Sequence, residues 1–169
     1  MDSWKLDGET IAFDSARRRL AAGSVQEVSL QDKRKAVLDQ RFESAATALH
    51  YDGEKLLVGT ESGALFRWDY NDPEAKPELV VELSGGVIVK SISSTPSSWI
   101  LLAEGKSQGE LVELSKTGKV QRKVSFEGRG LRNLTLTASR RVLATGPNYT
   151  LQFFDQTSGK KLGLSLIHI

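Results

Sequence analysis

Residues 45–83 read AATALHYDGEKLLVGTESGALFRWDYNDPEAKPELVVEL and contain four short apolar runs separated by turn-forming residues. The runs lie at residues 45–51, 55–59, 64–68 and 78–83. Short runs of this kind, alternating or continuously apolar, are typical of β-strands. Asp52-Gly53 and Ser62-Gly63 suit tight corners, because glycine reaches positive φ without steric cost. The segment therefore predicts a four-stranded antiparallel meander.

The same pattern recurs along the chain. An apolar run that ends at a glycine occurs four times, at Leu20–Gly23, Leu56–Gly59, Leu101–Gly105 and Leu143–Gly146. The spacings of 36, 46 and 41 residues between these glycines are close to the roughly 40–45 residues of a four-stranded propeller blade. We therefore predict an all-β fold, a partial β-propeller of about four blades at 7–43, 45–84, 87–127 and 131–163. In this prediction the fourth blade stops before an outer strand.

Residues 59–69 resemble the end of a WD repeat, with a tight turn, an alternating strand and the pair Trp68-Asp69. The other units end in weaker versions of this motif, namely Leu30-Gln31-Asp32, Val112-Glu113-Leu114 and Phe153-Phe154-Asp155. The sequence lacks the Gly-His that usually starts a repeat and the aspartate of the turn before the third strand. The resemblance thus implies a divergent member of the WD, YVTN or quinoprotein-like propellers, without the buried hydrogen-bond network of WD repeats.

The composition excludes several classes of function. With 23 basic and 21 acidic residues the net charge is +2, so no strong field would attract nucleic acid or an anionic membrane. The absence of cysteine excludes disulfides and thiolate zinc sites. No apolar stretch approaches the roughly 20 residues of a membrane span, and the first residues do not have the pattern of a signal peptide. We expect a cytoplasmic chain that binds neither nucleic acid nor membrane.

Candidate catalytic groups are few. Only His50 and His168 could activate a hydroxyl nucleophile, and His50 lies in a strand pattern in which a packed or solvent-facing residue is more common. The acidic residues at turns are expected to be solvated: Glu43, Asp52, Glu54, Asp69 and Asp72. The glycines at 85–86 and 128–130 lack the following helix that a phosphate loop needs. We predict no catalytic residue, no cofactor and no metal site, and we expect that the chain is not an enzyme.

Two basic clusters stand at corners between the first and second strands of blades 1 and 4. Aligned on the glycines that end the second strands, Arg17 and Arg18 match Arg140 and Arg141. Such corners lie on one face of a propeller, so the four arginines are candidates for a rim that binds an acidic protein partner. Ordinary solvated turns are the alternative.

The last six residues, 164–169, break the repeat pattern. They match one reading frame of a transposase end sequence that serves as an adapter in DNA library preparation. We interpret them as a non-native tail and expect the native chain to continue past Gly163 with the remaining blades. The alternative is a real apolar strand that closes the fourth blade.

The predicted function is non-covalent recognition of a protein partner, because stacked blades form a rigid disc with loops on two faces. One alternative is a propeller enzyme, quinoprotein-like or hydrolase-like, with its active-site residues in further blades. Another is a rigid spacer in a larger chain. An incomplete ring also leaves an apolar face open at each end, so the 169-residue chain alone is expected to self-associate.

Overall fold

The fold is known from a computed structural model, which describes residues 10–32, 35–72, 74–127, 130–131, 133–136, 141–146, 150–155, 158 and 160–166. Within these ranges the chain forms sixteen β-strands and no helix. The strands make four sheets of four, and each sheet is an antiparallel meander in chain order. This confirms the predicted all-β architecture and the four repeated units.

Each sheet is one blade. Blade 1 contains β1 (Thr10–Asp14), β2 (Arg19–Gly23), β3 (Glu27–Asp32) and β4 (Lys35–Arg41). Blade 2 contains β5 (Ala46–Asp52), β6 (Lys55–Thr60), β7 (Ala64–Trp68) and β8 (Glu78–Glu82). Blade 3 contains β9 (Ile88–Ser94), β10 (Ser98–Glu104), β11 (Gln108–Ser115) and β12 (Val120–Glu127). Blade 4 contains β13 (Leu134–Leu136), β14 (Arg141–Gly146), β15 (Thr150–Asp155) and β16 (Lys161–Leu166).

Blade 4 departs from the prediction at its outer edge. β16 pairs antiparallel with β15, and its register places Leu166 opposite Thr150 and Gly163 opposite Phe153. The prediction that blade 4 lacks an outer strand is therefore wrong. An exposed edge strand has unpaired backbone N–H and C=O groups, which can form hydrogen bonds with an extended segment nearby. Residues 161–166 follow β15 after a short turn and supply this segment. The interpretation of residues 164–169 as a non-native tail stays a prediction.

Glycines form the predicted corners. Gly53, Gly63 and Gly118 have φ values of 63°, 86° and 85°, the left-handed region that side chains rarely adopt. Gly63 is also tightly enclosed, because a Cβ there would lie 2.7 Å from the carbonyl oxygen of Val87. All three corners are thus set by backbone conformation, and packing also requires glycine at Gly63 and at Gly118, where a Cβ would lie 2.8 Å from the carbonyl oxygen of Val80.

Apolar clusters fill the junctions between consecutive blades. Trp68 packs in the cluster between blades 1 and 2, and Trp99 packs in the cluster between blades 2 and 3. Both side chains are almost fully buried, so the two tryptophans pack between blades. A third cluster, which includes Phe126 and Phe154, joins blades 3 and 4. Burying large aromatic side chains at each junction is a main stabilising contribution to such stacked sheets.

Candidate partner-binding site

One end of the blades carries the predicted binding residues. In each blade the connection from the first to the second strand lies at this end, as does the connection from the third to the fourth strand, because the strands alternate in direction. We call this end the corner face. The first-to-second corners lie between Asp14 and Arg19 in blade 1, between Asp52 and Lys55 in blade 2, and between Ser94 and Ser98 in blade 3.

Asp14 organises the corner of blade 1. Its Oδ1 accepts hydrogen bonds from the backbone N–H groups of Ala16 (3.0 Å) and Arg17 (3.1 Å), and its Oδ2 accepts one from Arg17 Nη1 (3.1 Å). Partial burial by itself would raise the pKa of Asp14, but the hydrogen bonds and the charge of Arg17 outweigh it and lower the pKa. Arg17 also reaches across to blade 2, where Glu54 Oε1 accepts at 3.4 Å.

Arg18 stands at the tip of this corner. Its φ of 56° is the one positive value among the non-glycine residues that the structure describes. A left-handed conformation costs a residue with a Cβ about 1–2 kcal/mol. The side chain is exposed and forms no ion pair with another described residue. Strained backbone of this kind is often found at functional positions.

Arg19 anchors the corner to blade 2. Its guanidinium carbon lies 5.0 Å from the centre of the Tyr70 ring, and Nη1 donates to Asn71 Oδ1 at 3.0 Å. Asn71 Nδ2 in turn donates to the carbonyl oxygen of Glu54 at 3.3 Å. Arg19 therefore holds the Arg17-Arg18 turn against the neighbouring blade. Sequence reasoning did not assign it to the rim.

The structure corrects the predicted match between the two arginine clusters. Arg19 lies opposite Asp32, and Arg141 lies opposite Asp155, so these two arginines begin equivalent second strands. The alignment on glycines was shifted by one residue because β14 is one residue longer than β2. The counterpart of Arg18 is thus Arg140, which lies outside the described residues. For Arg141 the structure describes the backbone only. Of the four arginines of the predicted rim, the structure therefore describes the side chains of Arg17 and Arg18 alone.

A different set of contacts occupies the next junction. Asp52 Oδ2 accepts a hydrogen bond from Trp99 Nε1 at 2.7 Å, and Lys116 Nζ donates to both carboxylate oxygens at 2.9 and 2.8 Å. The Lys116 ammonium also lies 5.3 Å from the centre of the Trp99 ring. Burial alone would raise the pKa of Asp52, but the bonds from Lys116 and Trp99 outweigh it and lower the pKa. We call these three residues the blade 2–3 clamp.

His50 lies beside the clamp. Its Nε2 is 2.9 Å from Ser94 Oγ in the neighbouring blade. Burial lowers the pKa of His50, and the charge of Lys116 lowers it further, whereas Asp52 acts in the opposite direction. No hydrogen bond joins His50 to Asp52 among the described residues, since the carboxylate is held by Trp99 and Lys116. The contact therefore lacks the carboxylate that orients the histidine of a catalytic triad.

Three of the acidic turn residues form ion pairs, although all five were expected to be simply solvated. Asp52 belongs to the clamp, Asp69 pairs with Lys55 of the same blade, and Glu54 pairs with Arg17 of blade 1. Trp68 donates its Nε1–H to the carbonyl oxygen of Ala75 at 3.1 Å, a bond within blade 2. The clamp was missed because Asp52 and Lys116 are 64 residues apart, and no local pattern links them.

In the described ranges no group of three or more His, Asp or Glu side chains is arranged to hold a metal ion. The same part of the chain contains no helix that is long and apolar enough to cross a membrane.

These four packed meanders, with their clusters at each junction, define the chain as a partial β-propeller. No family model matches the sequence, and no curated protein matches it. Solved structures do resemble it. BamB from Moraxella catarrhalis matches with a TM-score of 0.67 and 20% identity over 96% of this chain and 49% of that chain. The β-propeller domain of Cps50 (Swd1) from Myceliophteria thermophila matches with a TM-score of 0.68 and 14% identity over 86% of this chain and 51% of that one.

Both likenesses are below 25% identity, so they establish the fold and leave the function open. The chain spans about half the length of each of these two structures.

Proposed function

We propose that this chain is a non-enzymatic recognition scaffold that binds an acidic segment of a protein partner at the corner of blade 1. The residues that make the contact are Arg17 and Arg18, and Arg19 positions them. We further propose that it acts in the cytoplasm. A rigid stack of blades suits this role, because it presents loops without large rearrangement on binding.

The observation that carries the proposal is the state of Arg18. This cation is exposed, has no ion-pair partner in the described part of the chain, and sits on a strained backbone. Its neighbours are fixed, since Asp14 holds Arg17 and Asn71 holds Arg19. The backbone of the corner is thereby fixed, and a guanidinium can bind a carboxylate in a bidentate manner. Selection for stability alone would favour glycine at this position.

The non-enzymatic part of the proposal is supported by the surroundings of His50. The imidazole contacts Ser94, but among the described residues no carboxylate forms a hydrogen bond with it. Nucleophilic catalysis of the triad type would need both a base and an orienting group. A propeller enzyme with active-site residues in further blades is the competing hypothesis, and a central channel lined by clustered His, Asp or Arg side chains in those blades would favour it.

A direct test uses a fluorescein-labelled peptide of twelve alternating Glu and Asp residues, with a Gln/Asn peptide of the same length for comparison. We expect fluorescence anisotropy to show binding of the acidic peptide only, weakening as salt is raised from about 0.1 to 0.5 M, because exposed charges are screened. The substitution Arg18→Glu should weaken binding by at least about tenfold.

The matched control is Lys106→Glu. Lys106 is an exposed cation between β10 and β11, at the opposite end of the blades, and its substitution makes the same change in net charge. Binding that falls equally in both variants would reduce the effect to overall charge. Equal binding of the acidic and neutral peptides would contradict the proposed function.

A further inference from the structure

The Tyr70 hydroxyl is buried at the junction of blades 1 and 2 and has no hydrogen-bond partner in the part of the chain that the structure describes. The residue is 6% exposed and belongs to the cluster that joins these two blades. Its ring meets the Tyr51 ring edge-on, with 5.6 Å between the ring centres. Buried polar groups in native proteins are nearly always hydrogen-bonded, because an unpaired group has lost its contact with water. An unpaired hydroxyl at this place indicates an acceptor that a bound molecule supplies.

Lys116 occupies the same position in blade 3 and shows what this position binds. The second residue of the second strand pairs with Trp68 in blade 2 and with Leu114 in blade 3. Tyr70 and Lys116 each follow that partner by two residues. Lys116 reaches back to blade 2 and donates to the Asp52 carboxylate at 2.9 and 2.8 Å. Tyr70 thus lies where the next blade places a donor that holds a carboxylate.

The two junctions offer similar donors. In the blade 2–3 clamp one carboxylate accepts hydrogen bonds from a cation, Lys116, and from a buried aromatic N–H, that of Trp99. The junction of blades 1 and 2 has a cation, Arg17, and a buried aromatic O–H, that of Tyr70. The pKa of Arg17 is raised chiefly by its hydrogen bond to Asp14, and the nearby phenol contributes in the same direction. Within the described residues this junction therefore has the donors of a clamp but no carboxylate that joins them.

Arg17 can accommodate a further acceptor. Its Nη1 donates to Asp14 at 3.1 Å, whereas its Nη2 donates to Glu54 at 3.4 Å, which is long for a hydrogen bond. The Glu54 side chain is 70% exposed, and exposed ion pairs of this kind contribute little to stability. The ion pair bridges blades 1 and 2, so its exchange frees the entrance to their junction. A carboxylate from outside can therefore replace Glu54 at Nη2 while Asp14 keeps its bond to Nη1.

We propose that a side-chain carboxylate of the acidic partner enters the junction of blades 1 and 2, where it replaces Glu54 at Arg17 and accepts a hydrogen bond from the Tyr70 hydroxyl. It takes the place that Asp52 has in the clamp. The inference rests on the proposed function and deepens it, because it makes Tyr70 the residue that distinguishes a bound carboxylate from general charge attraction.

Fluorescence anisotropy with the Glu/Asp peptide tests the inference on Tyr70→Phe. We expect the dissociation constant to rise about tenfold, because a hydrogen bond to a charged acceptor is lost. The midpoint of urea denaturation without peptide should stay the same or rise, since the hydroxyl has no partner among the described residues. Tyr51→Phe is the matched control, because it makes the same chemical change on the ring that contacts Tyr70, and it should leave the affinity unchanged.

Glu54→Gln should act in the opposite direction. It removes the carboxylate that competes for Arg17, so we expect the dissociation constant to fall about threefold. Asp72→Asn is the control for the change in net charge, because Asp72 is another exposed carboxylate of blade 2 on the corner face. Its effect should be smaller. Equal effects of the two substitutions would overturn the exchange at Arg17.

This inference and the proposed function fail in different ways. Wild-type protein that does not bind the acidic peptide would overturn both. Wild-type binding that Tyr70→Phe leaves unchanged, or that Tyr51→Phe weakens equally, would overturn the carboxylate at Tyr70 and leave the proposed function standing. A lower denaturation midpoint for Tyr70→Phe would show that the hydroxyl already has an acceptor in the free protein, and it would overturn the inference as well.

Discussion

The corners of blades 1 and 2 begin with the same residue and form different structures. Asp14 and Asp52 each end a first strand. The Asp14 carboxylate bonds within its own turn, where it accepts hydrogen bonds from the backbone N–H groups of Ala16 and Arg17. Asp52 reaches the next blade and binds Trp99 and Lys116.

The difference follows from what the next blade presents. Blade 3 offers an indole N–H and an ammonium to Asp52, whereas the equivalent positions of blade 2 hold Leu56 and Tyr70, because Leu56 pairs with Trp68 as Trp99 pairs with Leu114. One aspartate therefore locks a junction, and the other shapes a loop that displays Arg18. Under the proposed function, the same corner of the repeat serves stability in one blade and recognition in another.

The largest effect should come from removing the aspartate of the clamp. We expect Asp52→Ala to lower the free energy of unfolding by about 2 kcal/mol, because it leaves the Trp99 N–H and the Lys116 ammonium half-buried without their acceptor. Asp14→Ala should cost about 1 kcal/mol or less, since it removes a turn cap near solvent. Urea denaturation at one protein concentration measures both. Equal losses would remove the distinction between the two corners.

Arg18→Gly should act in the opposite direction. Glycine adopts a φ of 56° without strain, so we expect the free energy of unfolding to rise by about 1 kcal/mol while affinity for the acidic peptide falls. Lys106→Gly, at the other end of the blades, serves as the control for the loss of a charge. A destabilised Arg18→Gly protein would show that the arginine side chain supports the fold.

The burial of His50 beside the clamp should also make stability depend on pH. Burial lowers the pKa of His50 in the folded state, so protons bind the unfolded chain first as the pH falls below about 6.5. Stability is therefore complete above that pH and decreases toward the folded pKa. We expect a smaller decrease between pH 7.5 and 5.5 in His50→Gln, with His168 present in both proteins so that its titration cancels. An unchanged pH dependence would mean that the folded protein does not lower the pKa of His50.

The smallest effect is expected for Arg17→Gln. Its ion pairs with Asp14 and Glu54 are exposed to solvent, and such pairs typically contribute well under 1 kcal/mol. Thermal denaturation should show a nearly unchanged midpoint. A loss as large as that of Asp52→Ala would place Arg17 among the structural contacts.

Local chemistry explains what the sequence predicted well. The strands of blade 2 and the corner at Gly53 depend on apolar alternation and on the conformational freedom of glycine, both visible within a few residues. The four-blade architecture followed from the period of the pattern. The candidate arginine corner was also found in this way, because Arg17 and Arg18 are adjacent in the chain.

Contacts between distant residues could not be predicted. Lys116 contacts Asp52 only because blades 2 and 3 stack. No local sequence pattern indicates that these two residues are in contact. The pairing of β16 with β15 was missed because residues 164–169 were interpreted as a non-native tail, although residues 161–166 carry a leucine at every second position, as a strand does. The left-handed conformation of Arg18 has no sequence signal, since arginine rarely adopts it.

The most direct test of the division between the two corners is hydrogen–deuterium exchange with and without the acidic peptide, in the wild type and in Arg18→Glu. The account predicts that the peptide slows exchange at residues 15–19 and leaves residues 53–54 and 95–97 unchanged, and that Arg18→Glu abolishes the protection. Protection centred on residues 53–54 or 95–97, or protection that survives Arg18→Glu, would contradict it.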